Sequence, residues 1–193
     1  MKKEHFNYGS YENYLHRQQH TASRTTHKTV KGEKYIRERV KELSLLYPEL
    51  KRVLCLGSRH PIEVEAFLDA GYNAIGIDLL ETLPHVIRCD MAKICENPIL
   101  QKRKPFDILY MSHSLEHCLD IEGLLKGIEW SEATVMYIRV PIKTRPKKWD
   151  CTLLEFMLPD GDHTLIEDLF VGWTIKEFTP KKSEKIFLLE RTK

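Results

Sequence analysis

Residues 52–80 read RVLCLGSRHPIEVEAFLDAGYNAIGIDLL, and this stretch sets the architecture. Residues 53–56 are a short apolar run that stops at Gly57. Pro61 suits the first turn of a helix, Ala70-Gly71 closes that helix, and residues 74–77 make a second apolar run. Asp78 follows, 21 positions after Gly57. In a strand–turn–helix–strand unit of this kind the glycine lets backbone approach a ligand, and an acid about 20 residues on receives two ribose hydroxyls. Only Gly57 remains of a glycine-rich loop, however. Ser58, Arg59 and His60 stand where further glycines would let a pyrophosphate lie against the backbone, so a dinucleotide is disfavoured and a ribose without phosphates fits better.

Upstream, Ile36, Val40, Leu43 and Tyr47 recur at helical spacing from Glu33, and Pro48 ends the stripe. Downstream, residues 85–88 form a short third strand ending near Cys89-Asp90, and residues 93–100 an irregular helix. FDILYM at 106–111 is continuously apolar, as a strand covered on both faces must be. Asp120 caps a helix carrying Ile121, Leu124, Leu125 and Ile128; residues 134–140 are a fifth strand, with Pro141 at its exit. Thr164 and Glu167 read as a capping box for a helix over 165–170 that stops at Gly172. Residues 174–178 and 186–189, joined by the turn-like TPKKSEK, form a closing antiparallel hairpin. Alternating strands and helices predict an α/β chain with a largely parallel sheet, helices on both faces. Ligands of such sheets bind beyond the carboxyl ends of the strands, where the strand order reverses. Gly57, Asp78, Asp90 and Ser112 all fall at those ends.

The 193 residues, with 42% hydrophobic and 30% charged side chains, suit a single domain with its own core. Residues 1–30 lack a sustained apolar period and read as a flexible arm or lid, residues 31–193 as the domain. Five cysteines with no Cys-x-x-Cys pair suggest reduced thiols and a cytoplasmic setting; no apolar run is long enough to span a membrane or act as a signal peptide. Net charge is only +2, yet residues 1–60 carry 13 Lys or Arg against 6 Asp or Glu, and Lys143, Arg145, Lys147 and Lys148 form a second basic knot. Such patches can meet the phosphates of a nucleic acid, although solvated surface is the ordinary meaning of an excess this small.

Five segments in order, LCLGS at 54–58, GIDL at 76–79, CDM at 89–91, FDILYMSHSLEH at 106–117 and DHTLIEDLFVGWTIKEF at 162–178, span about two thirds of the chain. Together they resemble the class I S-adenosylmethionine-dependent methyltransferases, in particular the broad group with Leu-Glu-His after strand four. The resemblance implies a Rossmann-like, seven-stranded, mostly parallel sheet ending in an antiparallel hairpin, S-adenosyl-L-methionine as cofactor, and methyl transfer to an O or N acceptor. It implies that Gly57 lies against the aminoacyl part of the cofactor, flanked by Ser58 and Arg59. Asp78, beside Leu79, takes the ribose hydroxyls; Asp90 takes the adenine amine with Met91 beside the ring; Ser112 borders the methyl donor. Two departures stand out: Ser58-Arg59-His60-Pro61 replaces further glycines, and GIEWSEAT replaces a Lys-Pro-Gly-Gly turn before strand five. Each assigned residue also has a plain structural reading: Gly57 as a tight turn, Asp78 as a helix cap, Asp90 as a loop acid.

His113, Glu116 and His117 are the catalytic candidates. On one helical turn they would share a face beside the donor, with an imidazole accepting a proton near neutral pH and Glu116 orienting it. Adding His163 gives a nitrogen and oxygen set open to a divalent cation. That set is similar to the Glu-x-x-Glu-His arrangement of metal-dependent enzymes that methylate the terminal 2′-hydroxyl of small RNAs. Many metal-free relatives keep the Glu-His pair, so no metal is assigned. The acceptor is a small molecule or RNA, the latter met by the basic arm and the 143–149 loop, where Trp149 could stack a base. A non-catalytic nucleic-acid-binding or scaffold protein keeping the fold is the alternative from another class.

Overall fold

The computed structural model describes residues 11–13, 15, 16, 19, 30–59, 61–80, 83–142, 164–180 and 184–192. Its centre is a seven-stranded sheet built from β1 (Arg52–Leu56), β2 (Asn73–Asp78), β3 (Val86–Arg88), β4 (Ile108–Ser112), β5 (Val135–Pro141), β6 (Trp173–Pro180) and β7 (Glu184–Arg191). The strand order is β3-β2-β1-β4-β5-β7-β6. The first five strands pair in parallel, whereas β7 pairs antiparallel with both β5 and β6. The predicted fold class is therefore the observed one.

The helices are α1 (Val30–Leu46), α2 (Ile62–Asp69), α3 (Pro98–Gln101), α4 (Ile121–Ser131) and α5 (Thr164–Leu169). Two apolar layers result from the strand alternation. Leu54, Leu56, Leu109, Met111, Met136 and Ile138 face Ile94, Leu124, Ile128, Ile166 and Phe170, while Val53, Cys55, Ile108, Tyr110 and Tyr137 face Val40, Leu43, Val64 and Phe67. Burial of both faces is why β1 and β4 read as unbroken apolar runs. Among the described residues, no helix is long and apolar enough to cross a membrane.

Several boundaries differ from the sequence expectation, each for a local reason. The irregular helix expected over 93–100 starts earlier and breaks in two. Asp90 caps a 3₁₀ turn, Met91–Glu96, by accepting from the Ala92 N–H, and Asn97 caps α3 by accepting from the N–H groups of Ile99 and Leu100. The fourth strand begins at Ile108, because the Phe106 and Asp107 N–H groups donate to Ser131 and Arg52 carbonyls instead. The turn expected at 179–185 is shorter, since β6 runs to Pro180 and β7 starts at Glu184. The departure at GIEWSEAT is absorbed at the end of α4, where Glu132 takes the left-handed conformation (φ +63°) usually left to glycine. Asp120 caps α4 as expected, accepting from the Gly123 N–H at 2.9 Å.

Candidate active site

The strand order reverses between β1 and β4, which lie side by side and parallel while their connections lead to opposite halves of the sheet. In sheets of this kind the crevice beyond the carboxyl ends at such a reversal takes the ligand. Gly57 leaves β1 with φ +76°, and a Cβ there would overlap the Ser114 side chain. Two independent constraints thus require glycine at this position. Ser114, only 4% exposed, donates its hydroxyl to the Leu56 carbonyl at 2.8 Å and ties the two loops together.

Around this junction stand the predicted cofactor residues. Asp78, at the end of β2, is buried, and its Oδ1 accepts from the Leu80 N–H at 3.0 Å; Leu79 beside it is half-buried. Asp90 follows β3 and uses Oδ1 to cap the 3₁₀ turn, while its Oδ2 accepts from the Tyr11 hydroxyl at 3.0 Å. Partial burial first, and then the Asp90 charge and hydrogen bond, push the Tyr11 hydroxyl up to about 12. Met91 reaches toward Gly57, its Cε 3.6 Å from where a Cβ would stand. Ser112 ends β4, half-buried.

Ser58 is placed differently from the rest. Its N–H donates to the Ile77 carbonyl at 2.8 Å and its hydroxyl to Glu63 Oε2 at 3.1 Å, so both donors are committed within the fold. It contributes the shape of the loop rather than a hydroxyl. The Arg59 N–H turns back on the Gly57 carbonyl at 2.9 Å, and its side chain is half-buried. Pro61, which has no N–H, occupies the N-cap of α2, and Glu63 and Glu65 fill its first turn. A helix start lacking one donor and carrying two acids is a poor seat for phosphate.

His113, Glu116 and His117 do come together, but not on one helical turn. His113 sits in the left-handed region (φ +55°) ahead of a 3₁₀ turn, Leu115–His117. Glu116 is 2% exposed and lies between the two imidazoles, its Oε1 3.9 Å from His113 Nδ1 and 3.8 Å from His117 Nε2. His113 is the more open of the pair, at 39% side-chain exposure against 27%. Sequence reasoning missed its other neighbour. Glu184 Oε2 stands 3.8 Å from His113 Nε2 and is gripped by Arg139 through Nε at 2.7 Å and Nη2 at 2.6 Å. Ser114 and Tyr11 were missed as well. Among the described residues, no group of three or more His, Cys, Asp or Glu is arranged to hold a metal ion. His60, His163, the basic 143–149 loop with Trp149, and most of the N-terminal arm lie outside the described residues.

No family model matches the chain, and neither does any curated protein. Solved structures do match. Burkholderia thailandensis 1,6-didemethyltoxoflavin-N1-methyltransferase, with bound 1,6-didemethyltoxoflavin and S-adenosylhomocysteine, superposes with a TM-score of 0.65 over 93% of this chain and 88% of that one, at 12% identity. An S-adenosylmethionine-dependent methyltransferase from Archaeoglobus fulgidus gives 0.58 over 82% and 94%, at 15% identity. The N-terminal domain of EvdMO1 with S-adenosylhomocysteine bound gives 0.54 over 82% and 81%, at 12% identity. The fold is that of the class I S-adenosylmethionine-dependent methyltransferases, reached here by a sequence far from theirs.

Proposed function

We propose that this protein is a methyltransferase that binds S-adenosyl-L-methionine and passes its methyl group to an O or N acceptor. The observation carrying this reading is the gathering of Gly57, Ser114, Asp78, Asp90 and Ser112 at the carboxyl ends of neighbouring strands, where a sheet of this order has its ligand crevice. The acceptor groups present are of the kind this cofactor calls for. Asp78 supplies carboxylate oxygen for ribose hydroxyls, Asp90 for an adenine amine, Met91 an apolar wall, and both acids favour a ligand with a cationic centre over an anionic one. When bound, the cofactor supplies a methyl group on a sulfonium, whose positive charge makes the departing thioether a good leaving group.

The protein's share is then mostly alignment, and holding two reactants in a near-attack arrangement contributes roughly 7 to 11 kcal/mol in favourable intramolecular models. A base is needed only where the acceptor carries a tightly held proton. His113, exposed at the end of β4 next to Ser112, is the group we assign to take it. The test is calorimetry with S-adenosylmethionine and S-adenosylhomocysteine, followed by a screen of RNA, quinols and small metabolites with radiolabelled donor. Micromolar binding of either ligand is expected; no heat at millimolar concentration would remove the reading in favour of a non-catalytic protein of the same fold.

A further inference from the structure

His113 is flanked on both sides of its ring: Nδ1 lies 3.9 Å from Glu116 Oε1 and Nε2 lies 3.8 Å from Glu184 Oε2. The two carboxylates come from different elements, Glu116 from the 3₁₀ turn after β4 and Glu184 from the first residue of β7. Glu184 does not sit loosely. Arg139 of β5 holds its Oε2 with two nitrogens at 2.7 and 2.6 Å, and the guanidinium itself lies 4.4 Å from the centre of the Tyr35 ring on α1. The same Arg139 accepts the His113 N–H on its carbonyl at 2.8 Å, so main chain and side chain of one residue fix both members of the pair. Glu184 is 8% exposed, and the Glu184–Arg139 pair is largely desolvated, a setting in which charge-assisted contacts are strong and geometrically defined.

We propose that Glu184, clamped by Arg139, is a positioning residue for His113: it orients the imidazole at the mouth of the crevice and sets how readily the ring holds a proton. The role of that ring as the base rests on the methyl-transfer reading above; the coupling itself does not. Among the described residues, the charged and titratable groups meeting here besides His113 include Glu116 and His117 from the 3₁₀ turn, Arg139 and Tyr137 from β5, Tyr110 from β4, Glu184 from β7 and Tyr35 from α1. Glu184 favours the imidazolium, and Arg139 opposes it by offsetting Glu184.

The two halves of the clamp therefore act with opposite sign. Titration of the His113 Cε1–H resonance in the intact protein, assigned with His113→Gln, reads the effect without any acceptor. Glu184→Gln is expected to lower the His113 titration midpoint by about one pH unit, since a carboxylate is removed and Arg139 is left uncompensated. Arg139→Met is expected to raise it by about half a unit. A general loosening of the structure would move both variants the same way, and that outcome, or a midpoint unchanged within about 0.2 units in Glu184→Gln, overturns the proposal. Should one variant not fold, the sign of the other decides. Binding of S-adenosylhomocysteine to the unsubstituted protein is measured beside it. Shifts of the expected sign without such binding would leave the coupling standing and remove the methyl-transfer reading, whereas binding without the shifts would remove this inference alone.

Discussion

A side chain at position 57 and the Ser114 side chain exclude one another. Gly57 leaves β1 in a positive-φ conformation at the point where Ser114 closes onto the Leu56 carbonyl. Gly57→Ala must therefore accept a left-handed backbone, at about 1–2 kcal/mol, and displace Ser114 as well, at about 1–3 kcal/mol. The expected result is a folded but less stable protein whose affinity for S-adenosylhomocysteine falls at least about tenfold. Calorimetry and thermal melting measure the two effects. Ser114→Gly in the same chain should recover part of the lost stability, though not the part due to φ.

Asp78 separates support of the fold from support of the ligand. In Asp78→Asn the amide oxygen can still accept from the Leu80 N–H, so that contact is kept. The charge that the proposed function offers to the ribose is gone, and a hydrogen bond to a charged group is worth about 1.5–3 kcal/mol. Affinity for S-adenosylhomocysteine should drop about 10- to 100-fold. An unchanged dissociation constant would place the ribose elsewhere.

Tyr11 donates its hydroxyl to Asp90 at 3.0 Å. Its hydroxyl is raised from the ordinary 10.0 to about 12, so it retains its proton longer in the folded protein than in the unfolded one. The sign follows: the contribution of the contact is whole below pH 10.0 and is lost as pH rises through about 12. Absorbance titration of tyrosinate should show one tyrosine ionising later in the unsubstituted protein than in Asp90→Asn. Identical curves up to pH 12 would mean that Tyr11 does not reach Asp90 in solution.

Asp107 joins the starts of β1 and β4. Its Oδ2 accepts from the Lys51 and Arg52 N–H groups, each at 2.8 Å, and its Oδ1 from Arg52 Nη2 at 3.1 Å. Partial burial pulls this carboxyl upward, yet the backbone N–H groups of Lys51 and Arg52 and the Arg52 guanidinium together hold it below the usual value. Its contribution to stability is therefore full above the usual carboxylate range and lost as pH falls through the lower, folded-state value. Asp107→Ala is expected to cost about 1–3 kcal/mol near neutral pH, and the difference from the unsubstituted protein should shrink in acid. Denaturant melts at neutral and acidic pH provide the comparison.

The ends of β1, β2 and β4 were legible because each closes an apolar run, and a run covered on both faces announces where it stops. Gly57, Asp78 and Ser112 could be placed by that rule alone. Ser114 could not, since its role depends on how closely two loops approach after the sheet has formed. Glu184 was hidden for another reason. It lies in a polar stretch that reads as a turn, and its partner Arg139 is 45 positions earlier, a polar residue inside an otherwise apolar strand. Pattern gives a strand its faces but not its neighbours, so the insertion of β7 between β5 and β6 left no periodic trace. The expected shared face of His113, Glu116 and His117 rested on helical spacing. The positive φ of His113 breaks that spacing, while Glu116, nearly sealed from solvent, still brings both imidazoles to one carboxylate.

The sheet order also dictates a timetable. β7 is made after β6 but lies inside it, so β6 has no hydrogen-bonding neighbour until β7 has been synthesised and threaded into place. Glu184, the first residue of that late strand, arrives 71 positions after His113. The Glu184 contact with His113 therefore depends on β7 pairing with β5, whereas Gly57, Asp78 and Asp90 stand at the ends of strands that pair without it. A register slip of β7 against β5 would thus displace Glu184 from His113 and leave the ends of β1, β2 and β3 as they are.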